Sequence, residues 1–478
     1  MAESLKNKTV KGTLWSSVER FSVQGIQFIV MIIMARLLTP QDYGLVGMIT
    51  IFIAVSQSLI DSGFSQALIR KQDRNEVDNS TVFYFNIAVG ICLYLVIFFC
   101  APLIARFYKE PLLTPITRCV SLGLLFNSLG VVQRALFTTT LNFKTQAKAT
   151  LIGAITSGCI GIAMAYTGFG VWAIVVQQVT NTALVVIFLW VYSNWRPILA
   201  FSKKSFKNLF GFGSKLMVSG LIDTLYKNIY LIVIGKVFKA SDLGYYTRAH
   251  QFTDFASSNI SGIFQRVTYP VLCSIQDDDT RLADVYRRLL KTSAFVIFPL
   301  MMGLMGVARP MVLSFLTEKW LFSASLIEIL CFAQMWYPVH AINLNLLQVK
   351  GRSDLFLRLE IIKKLTGVSI LCITLPMGLI PMCWGMLFNS LFALIINTHY
   401  TGKLINLGFI AQMRDLLPIL ALSLAMGGIV YITMNYISLN SWLLLAIGLL
   451  EGILVYVGLA RIFRFNELSE LVAIVRRK

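Results

Sequence analysis

Ala35-Arg36-Leu37-Leu38-Thr39-Pro40-Gln41-Asp42-Tyr43-Gly44 reads as the end of one apolar helix, a tight turn and the start of another. Two hundred positions later stands Gly235-Lys236-Val237-Phe238-Lys239-Ala240-Ser241-Asp242-Leu243-Gly244, with the same profile. Around the two turns, Ile29, Ile32, Asp42, Gly44, Phe52, Ser58 and Phe64 recur as Ile229, Ile232, Asp242, Gly244, Phe252, Ser258 and Phe264. A single shared D-x-G would be chance. Matched spacing with matched hydropathy over about forty residues indicates an internal duplication. Duplicated helical bundles are how many transporters are built, with substrate handled where the repeats meet. Pro40, Asp42, Gly44, Asp242 and Gly244 then mark equivalent hinge turns: glycine lets the chain reverse within few residues, and the aspartates can cap the following helix.

Composition sets the class as an all-α polytopic membrane protein. The chain is 56% hydrophobic, with only 14% charged residues and a mean hydropathy of +0.72, far from a soluble globular average. A helix needs about 20 apolar residues to cross the hydrocarbon, and length and hydropathy predict about fourteen transmembrane helices. They cover 13–37, 43–69, 82–105, 114–137, 147–168, 171–193, 209–235, 244–273, 289–313, 325–348, 358–377, 380–399, 416–437 and 441–462. The basic Lys6, Lys8 and Lys11 look like the start of a signal peptide. The apolar stretch behind them is too long for one and carries Glu19 and Arg20, so it reads as the first span.

The net charge of +19 would point to nucleic acid in a soluble protein; its distribution points to topology instead. Alternate loops divide the 42 Lys and Arg residues into roughly 27 on one side, about 8 on the other and about 7 within spans. The rich side includes Lys203, Lys204, Lys207, Arg287, Arg288, Arg476, Arg477 and Lys478. Positive residues stay cytoplasmic, which puts both termini in the cytoplasm, as an even number of spans requires. Nucleic acid is therefore not an expected partner; membrane lipids are.

No soluble domain is predicted. The stretch 194–208 has the composition of a linker between lobes, with an interfacial helix, and divides the chain into a first six-helix lobe (1–200) and a second (201–405). A closing pair of helices with a tail (406–478) follows, and Leu468, Leu471, Val472 and Val475 are spaced for an amphipathic helix on the cytoplasmic leaflet, the alternative being a frayed, solvated tail. The eight cysteines form no C-x-x-C pair, so neither a disulfide framework nor a metal site is expected. Short external loops, three scattered histidines and the lack of a Walker A pattern argue against an enzyme and against any cofactor.

Charges inside spans need a reason, because each costs about 2.5–3.5 kcal/mol at a helix centre on insertion scales. The first span carries Arg20, the second Asp61 one turn from Gln57. In the seventh, Lys215, Ser219, Asp223 and Lys227 step by four residues and draw one polar stripe. The eighth holds Arg248, Asp254 and Arg266. A structural account is available: Asp223 and Lys227 have the favoured order for an i,i+4 ion pair, and Lys215 and Arg20 can snorkel to the surface. Their clustering in the first two helices of each repeat points instead to a wet cavity. Bases exceed acids there, so its natural guest is anionic. Arg20, Lys215, Lys227, Arg248 and Arg266 are the candidate substrate-binding charges, with Asp61, Asp223 and Asp254 tuning them or coupling an ion.

Gly12-Thr13-Leu14-Trp15, the Ala35–Gly44 stretch, Asp61-Ser62-Gly63-Phe64, Asp242-Leu243-Gly244-Tyr245-Tyr246-Thr247-Arg248-Ala249 and Tyr269-Pro270-Val271-Leu272 resemble the polysaccharide transporter family. These are the Wzx-type lipopolysaccharide and exopolysaccharide exporters of the MOP flippase superfamily, and the likeness is nearest to the colanic-acid-exporter branch. Gln41 stands where that branch often has an acid. The resemblance implies a MATE-like fold, two six-helix lobes in a V shape plus two C-terminal helices, moving by alternating access. It also implies the cargo: an undecaprenyl-diphosphate-linked oligosaccharide turned from the cytoplasmic to the periplasmic leaflet of the bacterial inner membrane, with polysaccharide polymerase and export machinery as further partners. Lys and Arg both bind phosphate, Arg through the more directional fork. The alternative is a MATE-like multidrug or cation antiporter, which would need acids where this chain has bases.

Overall fold

The structure, a computed structural model, describes residues 22–61, 63–71 and 73–470. Every element among them is helical, as lipid demands of a spanning chain that must satisfy its own backbone. The helices are α1 (Ser22–Leu37), α2 (Pro40–Asp61), α3 (Phe64–Arg70), α4 (Glu76–Tyr108), α5 (Leu113–Thr139), α6 (Phe143–Tyr166), α7 (Val171–Tyr192) and α8 (Lys203–Val237). There follow α9 (Ala240–Cys273), α10 (Asp279–Gly306), α11 (Ala308–Phe315), α12 (Leu321–Gln334), α13 (Tyr337–Val349), α14 (Ser353–Thr374), α15 (Leu379–Ile405), α16 (Phe409–Tyr436) and α17 (Ser441–Ile462).

Eleven of the described helical segments are long and apolar enough to cross a membrane. The remaining expected spans fall on α1, α9 and α14. Sixteen residues of α1 are described, while α9 and α14 carry the charges that lower their hydropathy, Arg248, Asp254 and Arg266 on one and Arg358, Glu360, Lys363 and Lys364 on the other. Three expected single spans are broken. The second breaks at Gly63, whose φ of 67° leads into α3. A Cβ there would stand 2.5 Å from the Gly213 carbonyl oxygen, so glycine serves both the turn and the close passage of α8. The ninth breaks at Val307 and the tenth at Met335–Trp336.

The chain divides into two compact units, 1–244 and 245–478. In the first, α4 packs along α5, α6 along α7, and α8 against α2, α3 and α4. Asn75 caps α4 in a capping box with Asp78, and the buried Asp78 carboxylate also takes Lys71 at 2.6 Å. Of the expected linker, 194–202 is irregular and 203–208 is helical, as the start of α8 and not as a separate helix. Pro197 cannot donate to a helix, and the Ile198 and Ser202 amides donate instead to the Ser80 and Thr81 hydroxyls, each at 3.0 Å. Trp195 Nε1 donates to Glu76 at 2.6 Å. Ser202 then caps α8, which runs straight on into the span.

In the second unit α10 packs along α16. Arg287 grips Asp415 with two bonds of 2.7 and 2.6 Å, a bidentate fork. Residues 466–470 are helical and paired to α10, with Glu467 3.0 Å from Lys291 and Glu470 3.0 Å from Arg288. The tail therefore begins as a segment docked by charge, and the amphipathic positions Leu471, Val472 and Val475 lie outside the described residues. Large apolar side chains such as Phe99 and Leu454 are about 70% exposed, 71% and 72%, which in a membrane bundle is the lipid-facing surface.

Candidate functional sites within the two units

The two turns are built alike. Thr39 precedes α2 and Asp42 sits in its first turn: the Thr39 amide donates to Asp42 Oδ2 at 2.8 Å and its hydroxyl does so at 2.7 Å. At the second turn the Lys239 amide donates to Asp242 Oδ2 at 3.2 Å. Both aspartates thus cap backward from the third helical position, and the second turn lacks the hydroxyl that completes the first. Pro40 opens α2 at the position where its missing N–H costs nothing, and Ala240 opens α9. Glycine is required at both 44 and 244. A Cβ on Gly44 would lie 1.7 Å from the Ala240 carbonyl oxygen, and one on Gly244 would lie 1.8 Å from the Pro40 carbonyl oxygen.

The candidate charges fall in both units. In the first, Lys227 Nζ stands 2.7 Å from Asp223 Oδ2 on the exposed face of α8, their side chains 70% and 49% exposed. Asp61 accepts a hydrogen bond from Gln57 Nε2 at 3.3 Å. Arg20 lies outside the described residues, as does the side chain of Lys215. In the second unit, half-buried Arg248 donates to Gln251 Oε1 at 2.6 Å, while exposed Asp254 accepts from Ser258 Oγ at 3.5 Å. The Arg266 side chain also lies outside the description. The structure therefore joins Asp223 to Lys227 directly and places Asp61 on α2 and Arg248 and Asp254 on α9.

A cavity with polar groups set among apolar side chains, which charge counting passed over, lies inside the first unit. It has a volume of about 360 Å³ and is lined from α2, α5, α6 and α7. Gln57, Asn127, Gln178, Asn181 and Thr182 present amides and a hydroxyl; Arg134 is the one charge among the described residues that line it. Arg134 also interacts electrostatically with Asp61. The sequence signal was modest: Asn127 and Arg134 stand seven residues apart on one face of α5, and Gln178, Asn181 and Thr182 share a face of α7.

The second unit holds a cavity of opposite character, about 510 Å³ between α10, α11, α16 and α17. Leu300, Leu304, Met311, Phe315, Met426 and Ile453 are among its lining side chains, and its surface is almost wholly apolar. Elsewhere in this unit several buried polar groups pair with one another. Asn343 and Gln412 exchange two amide bonds of 3.1 Å, and Thr401 donates to Asn343 Oδ1 at 2.6 Å. His340 is held between Ser390 Oγ at 3.1 Å and Asn397 Nδ2 at 3.2 Å. These scattered Asn, Gln and His positions form internal braces.

Residues 33–325 match the polysaccharide biosynthesis protein family. That is more than half of the chain, and the chain belongs to this family. It is 27% identical over 463 residues to the teichuronic acid biosynthesis protein TuaB of Bacillus subtilis (strain 168), covering 95% of this chain and 96% of that one. It is 25% identical over 400 residues to the lipopolysaccharide biosynthesis protein WzxC of Escherichia coli (strain K12), covering 83% and 80%. Among solved structures, the lipid II flippase MurJ in an inward closed conformation superimposes with a TM-score of 0.79 at 16% identity, covering 95% of this chain and all of that one, 100%. The fold is thus the one seen in MurJ.

Proposed function

We propose that this protein is a flippase for lipid-linked oligosaccharides, moving undecaprenyl-diphosphate-linked repeat units from the cytoplasmic to the periplasmic leaflet by alternating access. The observation that carries the reading is family membership together with full-length likeness to TuaB and to the MurJ fold. The cavities support it. An amphiphilic cargo needs an apolar place for its isoprenoid chain and polar groups for its head, and the two units offer one of each character. An exposed Lys227 on a membrane helix is stable only beside water or a partner, which suits a wet path for an anionic head.

On this reading the chain makes fourteen crossings with both termini in the cytoplasm of a bacterial inner membrane, in two six-helix lobes (1–200, 201–405) and a closing pair (406–478). Arg20, Lys215, Lys227, Arg248 and Arg266 hold the diphosphate; Asp61, Asp223 and Asp254 balance them. Polysaccharide polymerase and export machinery receive the product. The antiporter alternative loses ground because, among the described residues, the cavity of the first unit is lined by an arginine and no carboxylate. The test is reconstitution into vesicles with a fluorescent lipid-linked oligosaccharide. Protein-dependent loss of the label from the loading leaflet supports the reading, and leaflet distribution equal to that of protein-free vesicles overturns it.

A further inference from the structure

The cavity inside the first unit has a chemistry that the diphosphate site does not use. We propose that it is a subsite for an acidic sugar residue of the cargo, with Arg134 taking the sugar carboxylate and the surrounding amides taking ring hydroxyls. This rests on the flippase reading and adds to it which part of the head group the first unit recognises.

Three observations point to such a ligand. Among apolar side chains such as Ile53, Leu124 and Val185, the lining sets one guanidinium with uncharged amides and hydroxyls, which offer both donors and acceptors to hydroxyl groups and a directional fork to a carboxylate. No carboxylate lines the cavity among the described residues, which makes it a poor cation site and a good one for a single negative charge. Asp61, which interacts with Arg134, is held by Gln57 outside the lining. It lowers the cost of keeping a guanidinium at membrane depth without occupying the cavity.

Polar atoms there are also left unpaired within the protein. Asn127 is only 4% exposed, yet its Nδ2 has no hydrogen-bond partner, and neither has Asn181 Oδ1. A buried amide without a partner is costly, and a ligand in the cavity would meet both the donor on α5 and the acceptor on α7. Sugar hydroxyls donate and accept at once. The volume of about 360 Å³ lies at the small end of the range of about 300–1,000 Å³ for small-molecule sites, in keeping with a sugar residue rather than a whole repeat unit.

The experiment compares methyl glucuronide with methyl glucoside on the purified full-length protein, by titration with NMR detection of weak binding. Wild type should bind the glucuronide at least about tenfold more tightly, the worth of a charge-assisted hydrogen bond. Arg134→Gln should erase that preference. Asn181→Asp, nearly isosteric and carrying a negative charge into the cavity, should erase it as well, and decides the matter alone if Arg134→Gln fails to fold. Equal binding of the two glycosides by wild type, no binding of either, or a preference that survives in Asn181→Asp overturns the proposal. The vesicle assay separates the two readings: flipping without a glucuronide preference removes the subsite and leaves the flippase, while binding without flipping does the reverse.

Discussion

Gly44 and Gly244 each press the backbone against the other repeat's helix start, Gly44 on the Ala240 carbonyl and Gly244 on the Pro40 carbonyl. Two residues separated by two hundred positions therefore make reciprocal contacts with partners separated by the same two hundred. The duplication read from the sequence is thereby a physical two-fold relation at the turns.

This contact leaves no room for a methyl group. Alanine at either glycine would bring Cβ to 1.7 or 1.8 Å from a carbonyl oxygen, and because the obstacle is backbone, the helices must part. Overpacking typically costs about 1–3 kcal/mol. Gly44→Ala and Gly244→Ala should each lower the melting midpoint of the protein in detergent and its yield as a monodisperse species. An unchanged midpoint in either variant would show that the helix starts separate at no cost.

The same relation makes the turns a conformational gauge. Thr39 and Lys239 occupy matched positions just before the two contacting helix starts. In the alternating-access proposal these turns are periplasmic and approach one another when the protein faces inward. A Thr39→Cys/Lys239→Cys variant should therefore crosslink faster under conditions that favour the inward-facing state. Crosslinking that ignores conformational state in a folded protein rules out the hinge.

How much of this was readable beforehand follows from which forces leave a trace in sequence. Apolar runs mark most helices because lipid imposes them, and the glycine pair shows through its matched spacing. The breaks at Gly63, Val307 and Met335 do not interrupt hydropathy, so the helices on either side of each read as one span. The linker looked helical by composition, whereas its course is set by Ser80 and Thr81 about 120 residues away, 118 and 121 in sequence separation. Among the candidate site residues, Asp223 and Lys227 were legible because an i,i+4 pair is local. Arg134 was not, since its significance comes from Asn127, Gln178 and Asn181 converging on one cavity from two helices.

The amide brace in the second unit gives a stability prediction. Asn343 and Gln412 satisfy each other across α13 and α16, both about 1% exposed. Gln412→Leu should cost about 0.5–1.5 kcal/mol, because the Asn343 amide keeps Val339 and Thr401 as partners, and Asn343→Leu should cost more, because it also takes the acceptor of Thr401. The double variant should be less destabilising than the sum of the two, since the two amide bonds between Asn343 and Gln412 are then counted once. Strict additivity in denaturant or thermal unfolding would mean that the two amides do not depend on each other.

Asp415 lies 9% exposed beneath the Arg287 fork, whose own side chain is 45% exposed. Removing one member of a buried pair costs about 3–5 kcal/mol, a figure to be reduced for the solvent that reaches the guanidinium, to about 1–3 kcal/mol. Asp415→Asn keeps the shape and one acceptor, so it should lose less stability than Asp415→Leu, which keeps neither. Thermal midpoints in the order wild type, Asn, Leu are expected; a Leu variant as stable as wild type contradicts a structural role for the fork.

Lys227 and Arg248 carry the strongest claim on the diphosphate. Lys227 is paired with Asp223, yet its side chain remains 70% exposed, so pairing has not buried it, and its ammonium still faces outward from α8. Arg248 stands in the helix of the second repeat that is too charged to count as a span by apolarity alone. Losing one charge-assisted hydrogen bond removes about 1.5–3 kcal/mol of head-group binding, roughly tenfold to a hundredfold in affinity. Lys227→Ala and Arg248→Ala should therefore stop export while leaving membrane insertion and yield intact. Lys215→Arg should be tolerated if charge alone matters there. Asp223→Lys should behave differently, because it sets two ammonium groups one helical turn apart and so weakens the helix as well as transport. Flipping of a lipid-linked oligosaccharide in vesicles, measured at matched protein density, is the deciding assay. If the double variant of Lys227 and Arg248 to alanine flips at the parent rate, the two charges serve the fold and the head group is held elsewhere.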